Sequence, residues 1–167
     1  MLLRFQVFEG KRMRPLKLVQ HMKTNADRMS EGLLQKIRNS DRCAELLQKV
    51  PGDEHKRYAH EIYLDLTDWL GDETDAIVEK HYAAMGMQRA QQGVPFSNVF
   101  WAVCITRDYL WDYIQQECLL DEPVEFWGGV KLLRSLNQFF DRALYFALVG
   151  YQKANKEAFN AAPAAFA

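Results

Sequence analysis

The chain has little of what marks a secreted, metal-binding or catalytic protein. Its 167 residues include three cysteines, an odd number, at Cys43, Cys104 and Cys118. Cys104 and Cys118 fall on one expected helix, about 21 Å apart at 1.5 Å rise per residue, too far to pair within it. No CxxC and no Cys/His cluster suggests zinc, so no metal site is expected. This usage fits a reducing cytoplasm. HExxH, P-loop and GxGxxG patterns are missing, and Ser97 sits in no nucleophile elbow. Asp72, Glu73 and Asp75 explain themselves as first-turn charges at a helix N-terminus. Asp108 and Asp112 share a solvent face. The expectation is a protein that is not an enzyme.

Charge and hydropathy exclude further classes. The formal net charge is -1, which gives no reason to expect nucleic acid or an anionic membrane as partner. Lys11, Arg12, Arg14 and Lys17 are too few for a binding footprint. No apolar run approaches the ~20 residues that a membrane span needs. The opening MLLRFQVFEG is too short in its apolar part for a signal peptide and lacks a cleavage pattern after it. A soluble cytoplasmic protein is expected. Hydrophobic residues make up 49% and charged residues 26%, ordinary globular composition for one domain able to bury its own core.

What is present is helical periodicity. Residues 1–14 alternate at Leu3, Phe5 and Val7, compatible with a short strand or an attached arm. From Pro15, residues Val19, Met22, Ala26, Met29, Leu33 and Ile37 form one apolar stripe at spacings of three and four. Asn39-Ser40-Asp41 ends that helix and starts a short one to Lys49. Pro51-Gly52-Asp53 is a turn. The next helix, about 54–70, puts Tyr58, Ile62, Leu66 and Trp69 on one face. A helix over about 73–92 gathers Ile77, Val78, His81, Tyr82, Ala84 and Met85, with His81 near the centre of its inner arc and Arg89 on the edge. Its strip of Ala83, Gly86 and Ala90 would let another helix approach closely.

Gly93-Val94-Pro95 breaks the chain, with Gly93 at C′ and Ser97 as the cap of a helix over about 97–118. There Val99, Phe100, Val103, Cys104, Tyr109, Leu110, Trp111, Tyr113 and Ile114 fill a wide apolar arc. Arg107 falls inside that arc, while Trp101 and Ile105 fall in the polar stripe. After Leu120-Asp121-Glu122-Pro123, a last helix over about 124–153 turns Phe126, Leu133, Leu136, Phe139, Phe140, Leu144, Ala147 and Tyr151 inward. Residues 154–167 read as a disordered tail. The expected fold is all-α, a globin-like stack or bundle of about six helices, with 15–153 as a single domain.

The string Arg89-Ala90-x-Gln92-Gly93-Val94-Pro95-Phe96-Ser97, followed by the aromatic helix with Arg107 and Leu110-Trp111, resembles the N-terminal sensory domain of RsbR-type proteins, the stressosome co-antagonists. The likeness extends over about residues 20–153. Phe96 stands where leucine or isoleucine is more usual. The resemblance implies a globin-like helical fold lacking haem, often a homodimer, that passes a signal to an output domain. No STAS, PAS, kinase or cyclase sequence follows, so an excised domain or a stand-alone relative that signals through a partner is expected.

Candidate sites follow from the residues that break the pattern. A buried arginine must be paired or must bind something. Arg107 either pairs with Asp141 on the last helix or, with Arg89, holds an anionic ligand by bidentate contact. His81 either ligates haem iron or is a core histidine bonded to a carbonyl. Trp111, with Tyr58, Tyr82, Phe100, Phe139 and Phe140, lines a ligand pocket or is plain core. Trp101 and Ile105 either contact a second subunit or lie under a neighbouring helix. The expected function is a non-enzymatic sensor domain; the alternatives are a globin-like protein binding haem or a small molecule, and a structural adaptor.

Overall fold

Four long helices form two packed pairs, and a fifth lies against both. The computed structural model of the chain describes residues 13–72, 74–116 and 125–161. The helices are α1 (Met13–Arg38), α2 (Ala44–Lys49, entered through a 3-10 turn at Asp41–Cys43), α3 (Gly52–Asp72), α4 (Asp75–Gln91), α5 (Phe96–Gln116) and α6 (Glu125–Ala161). No strand occurs among the described residues. α1 packs along α3, α4 along α6, and α5 contacts both α1 and α6. The all-α bundle expected from periodicity is the fold. The N-terminal arm expected at 1–14 lies outside the described residues for all but its last two positions, which belong to α1.

The α4–α6 seam is where the sequence leaves the least room. Both helices run in the same direction. Asp75 at the start of α4 pairs with Arg142 at 3.3 Å, and the carbonyl of Val94 beyond its end accepts from Tyr151 Oη at 2.8 Å. Between these points Ala83 and Gly86 meet Ala147 and Gly150. A Cβ on Gly86 would fall on the Ala147 carbonyl, and one on Gly150 on the Ala83 carbonyl. The contact is reciprocal, backbone against backbone, as the small-residue strip predicts.

Turn chemistry explains the break after α4. Gly93 has φ 68°, a left-handed conformation that glycine adopts without steric penalty. Gly93 N–H donates to Ala90 O and Val94 N–H to Arg89 O, both at 3.0 Å, the paired bonds of a Schellman stop. α5 begins at Phe96, so Ser97 lies inside its first turn instead of capping it, and the Asn98 N–H bonds the Pro95 carbonyl at 3.0 Å.

Two expectations need correction. α6 runs on through Ala161, so residues 154–161 are helix where a disordered tail is expected. Ala154 is buried, which extends the packed part of the helix one turn beyond the inward stripe read from sequence. The second correction concerns α5. Its buried residues are Val99, Val103, Thr106, Leu110, Tyr113 and Ile114, a narrower stripe centred elsewhere than the wide arc. Thr106 enters it by donating its hydroxyl to the Ala102 carbonyl at 2.8 Å, so it buries no unmet polar group. That rotation moves Arg107 to the edge.

Candidate functional site

A cavity of about 100 Å³ lies between α1, α2, α3, α4 and α5. Its apolar wall includes Leu33, Ile37, Leu46, Ile62, Met85, Val99 and Val103. Polar side chains stand at its margins: His55 and Tyr58 with Arg89, and Glu61 and Asp65 with His81. An apolar chamber with a few convergent polar groups is the general form of a small-molecule site.

Arg89 anchors one margin. It is 3% exposed, the most buried charged side chain among the described residues. Its Nη1 donates to Glu54 Oε2 at 2.9 Å and to Gln92 Oε1 at 2.6 Å. Gln92 and Gln88 both donate to the same carboxylate, and Tyr58 donates to Gln88 Oε1 at 2.8 Å. The Tyr58 ring lies 4.7 Å from the guanidinium carbon, close enough for cation–π attraction. The Arg89 hydrogen bond holds the Glu54 carboxyl below the usual carboxylate range, with help from Gln92. Glu54 was not legible as a partner. In sequence it is one of two acids in the first turn of α3, where favourable interaction with the helix dipole suffices to explain it.

The string that carries the family resemblance is thus a structural clasp. Arg89 and Gln92 hold α3 through Glu54, Gly93 makes the stop, and the Gly93 carbonyl accepts from Lys49 Nζ at 2.6 Å. Val94 is fully buried, and its carbonyl ties α6 through Tyr151. One loop therefore joins α2, α3, α4 and α6.

The other margin is a buried carboxylate and a surface histidine. His81 Nδ1 lies 2.8 Å from Asp65 Oδ1, with side chains 50% and 9% exposed. Burial pushes the Asp65 carboxyl up, and the charge and hydrogen bond of His81 oppose that shift. His81 is therefore on the rim, not at the centre of the α4 arc, and Arg89 is inside, not on the edge. The cause is the α4–α6 seam: seating Ala83 and Gly86 on α6 fixes the rotation of α4.

The remaining candidates are not brought to the cavity. Arg107 is 34% exposed in its side chain and sits 3.6 Å from Asp108. The expected pair with Asp141 does not form, and Asp141 is exposed. Arg107 and Arg89 do not converge, because only Arg89 reaches the cavity. Trp111 is half-buried and outside the cavity lining. Of the aromatic set, Tyr58 and Tyr82 line the cavity, Phe139 and Phe140 are core, and Phe100 is exposed. Trp101 and Ile105 are half-buried and packed on the core, and the Arg42 guanidinium carbon stacks 4.1 Å from a Trp101 ring.

His55 is the residue that sequence reading passed over. It lines the cavity, its Nε2 is buried with no hydrogen-bond partner in the protein, and burial, with the charge of Arg89, pushes its pKa down. α3 begins at Gly52, so the Pro51-Gly52-Asp53 expected as a turn is the entry of the helix, and in its first turn nothing in the local pattern distinguishes His55. No group of three or more His, Cys, Asp and Glu side chains converges among the described residues, and none of their helices is long and apolar enough to cross a membrane.

Fold and cavity together define an all-α domain with a partly open cavity between five helices and a locked pair of helices beside it. The family model of the RsbT co-antagonist protein rsbRD N-terminal domain matches residues 27–163. The chain belongs to that family, which places it among the domains of signalling proteins. No curated protein and no solved structure matches it.

Proposed function

We propose that this chain is a non-enzymatic cytoplasmic sensor domain in which occupancy of the cavity shifts α4, and α6 with it, toward a partner. The observation that carries this is the double duty of α4. One face supplies His81, Tyr82, Met85 and Arg89 to the cavity, and the other is locked backbone-to-backbone onto α6. A ligand can shift an equilibrium only by its differential affinity for two states; a chamber walled by α4 supplies that difference. Membership of a co-antagonist family supports a signalling output.

The output surface we assign to α6. Tyr145, Leu148, Val149 and Phe159 are exposed apolar side chains on that helix. A second copy of the chain is the occupant that the family resemblance favours, with a signalling partner or output domain as the next. Trp101 and Ile105 are the competing dimer surface. Haem is left out of the proposal: about 100 Å³ is well below the roughly 300–1,000 Å³ of sites for drug-sized ligands. A Soret band in purified protein would reverse that choice.

Spin labels at the exposed positions Gln35 and Gln138 test the coupling. Filling the cavity with Val103→Phe is expected to shift and narrow the distance distribution between α1 and α6; an unchanged distribution defeats it. Sedimentation separates the two surfaces: Tyr145→Glu is expected to yield monomer and Trp101→Glu to leave the dimer intact. A wild-type chain that stays monomeric at all concentrations removes the dimer from the proposal.

A further inference from the structure

The cavity is selective in charge and in hydrogen bonding. Arg89 is already neutralised by Glu54, so an anion entering the chamber gains no free cation and meets Glu61 and Asp65 at its margins. A cation finds no free carboxylate, since Asp65 is engaged by His81 at 2.8 Å and Glu61 lies 3.7 Å from Arg57. Both lose their hydration without compensation, which is costly in an apolar enclosure. A neutral molecule is what remains.

His55 fixes the polar contact. Its Nε2 is buried and has no partner in the protein. With the ring proton on Nδ1, Nε2 is a bare lone pair, a buried acceptor that needs a donor. It belongs to a residue of the cavity wall, whose apolar part includes Leu33, Leu34, Ile37, Leu46, Val99 and Val103. An enclosed apolar site of about 150 Å³ holds benzene. By proportion, about 100 Å³ holds a molecule of about four or five non-hydrogen atoms.

We propose that the cavity binds a small neutral molecule with a short apolar body and one hydroxyl, a short-chain alcohol or a compound of that class, whose O–H donates to His55 Nε2. Resting as it does on the cavity being the ligand site of the sensor, the proposal adds the chemical class and the contact that selects it.

Two isomers separate the hydroxyl from the apolar body. Butan-1-ol and methyl propyl ether have the same atoms, and only the alcohol is a donor. Each is titrated into the full chain, methyl-labelled at valine, leucine and isoleucine. The alcohol is expected to shift the Val99 and Val103 methyls with about tenfold higher affinity than the ether, the margin of one buried neutral hydrogen bond. The Nε2 nitrogen resonance of His55 moves upfield with the alcohol alone. His55→Phe removes the preference and leaves the ether's affinity in place; the nitrogen shift in the wild-type chain needs no variant to fold. Equal affinities with an unmoved His55 resonance overturn the donor contact and leave the cavity as an unselective apolar site. If neither isomer shifts the Val99 and Val103 methyls, or a bound water stays on His55 throughout, the cavity is not a ligand site and both proposals fall.

Discussion

The two faces of α4 obey opposite rules. Toward α6, Ala83 and Gly86 leave no space for a methyl group, and backbone carbonyls occupy the places where side chains would go. Toward α1, α3 and α5, the same helix borders about 100 Å³ of open space, in an interior where voids larger than a water are few. Among the described residues, two buried polar atoms lack a protein partner, both on α3: His55 Nε2, of a residue that lines the cavity, and Tyr63 Oη, of one that does not. A close-packed interface transmits displacement, whereas a void with an unmet polar group can be filled. Tight and slack sides on one helix are what a receiver of small signals requires, since packed interfaces move between discrete arrangements and do not deform continuously.

The comparison predicts opposite responses to added bulk. Gly86→Val puts two methyls where the Ala147 carbonyl lies, and neither helix can yield without losing Arg142–Asp75 or Tyr151–Val94. Overpacking typically costs 1–3 kcal/mol and occasionally more; a backbone obstacle places this change at about 3 kcal/mol or above. At roughly 2–4 °C per kcal/mol for a chain of this size, Tm falls by about 6–12 °C. Val103→Phe also adds bulk, on the slack side, yet is expected to cost less than about 1 kcal/mol, because space for it exists. Equal losses in thermal unfolding would dissolve the distinction between the faces.

Arg89→Met tests the clasp between them. It leaves Glu54 mostly buried beside two glutamines without its ion-pair partner, and breaking such a pair costs about 3–5 kcal/mol. Glu54 keeps some solvent access, 15% in its side chain, so about 3 kcal/mol is expected in urea unfolding. The double variant with Glu54→Gln recovers part of that loss, since no bare carboxylate remains.

Acid should loosen this margin in two stages. His55 has its folded pKa pushed down, so its contribution is complete above its unfolded value, about 6.5, and is lost as pH falls from there through the folded value. Glu54 is likewise lowered: its contribution is present above about 4.3 and is lost as pH falls through its folded value. Asp65, raised by burial, works in the opposite sense, destabilising when ionised and relieved as it protonates. Unfolding free energy is therefore expected to decline below about pH 6.5. His55→Phe flattens the upper limb and Glu54→Gln the lower one. A flat profile between pH 7.5 and 5 would mean that His55 is free to charge.

Tyr63→Phe tests an unmet polar group away from the cavity, in the favourable direction. The hydroxyl is buried and unmet, on a residue 1% exposed, and burial pushes its pKa up. An unmet buried polar group costs about 1–3 kcal/mol, and removing the oxygen while keeping the ring recovers part of it. A gain of up to about 1 kcal/mol in unfolding free energy is expected.

Helix number, the inward stripe of α6 and the small-residue strip of α4, though not its partner, were legible because each depends on local periodicity and side-chain size. Val78, Tyr82 and Met85 of α4, and Leu136, Phe139, Phe140 and Ala147 of α6, are buried as their spacing implies. The RsbR-type resemblance was legible from the Arg89–Ser97 string. What was not legible is set by contacts between distant elements. Glu54 reaches Arg89 across 35 positions, and nothing local marks either as half of a pair. His55 becomes notable only when Leu46 and Val50 are brought against it. The phase of α4 is dictated by α6, so a helical wheel drawn from its own residues puts His81 in the centre and Arg89 at the rim. Length failed at the end of α6 for a related reason: Ala154-Asn-Lys-Glu-Ala-Phe-Asn-Ala161 carries no apolar stripe, yet alanine is the best helix former and continues a helix already nucleated.

Arg107 is the last test of that lesson. In sequence it outranks Arg89, because it interrupts an apolar arc; in the fold it is a half-exposed side chain near Asp108. An exposed or half-exposed ion pair contributes about 0–1 kcal/mol, and the aliphatic stem of arginine is matched by methionine where it lies on the core edge. Arg107→Met is therefore expected to change unfolding free energy by less than about 0.5 kcal/mol and to leave the affinity for butan-1-ol unaltered. A loss as large as that of Arg89→Met would mean that Arg107 is buried in the working state of the domain, with α5 turned so that its wide arc, and not the narrow stripe through Thr106, faces inward.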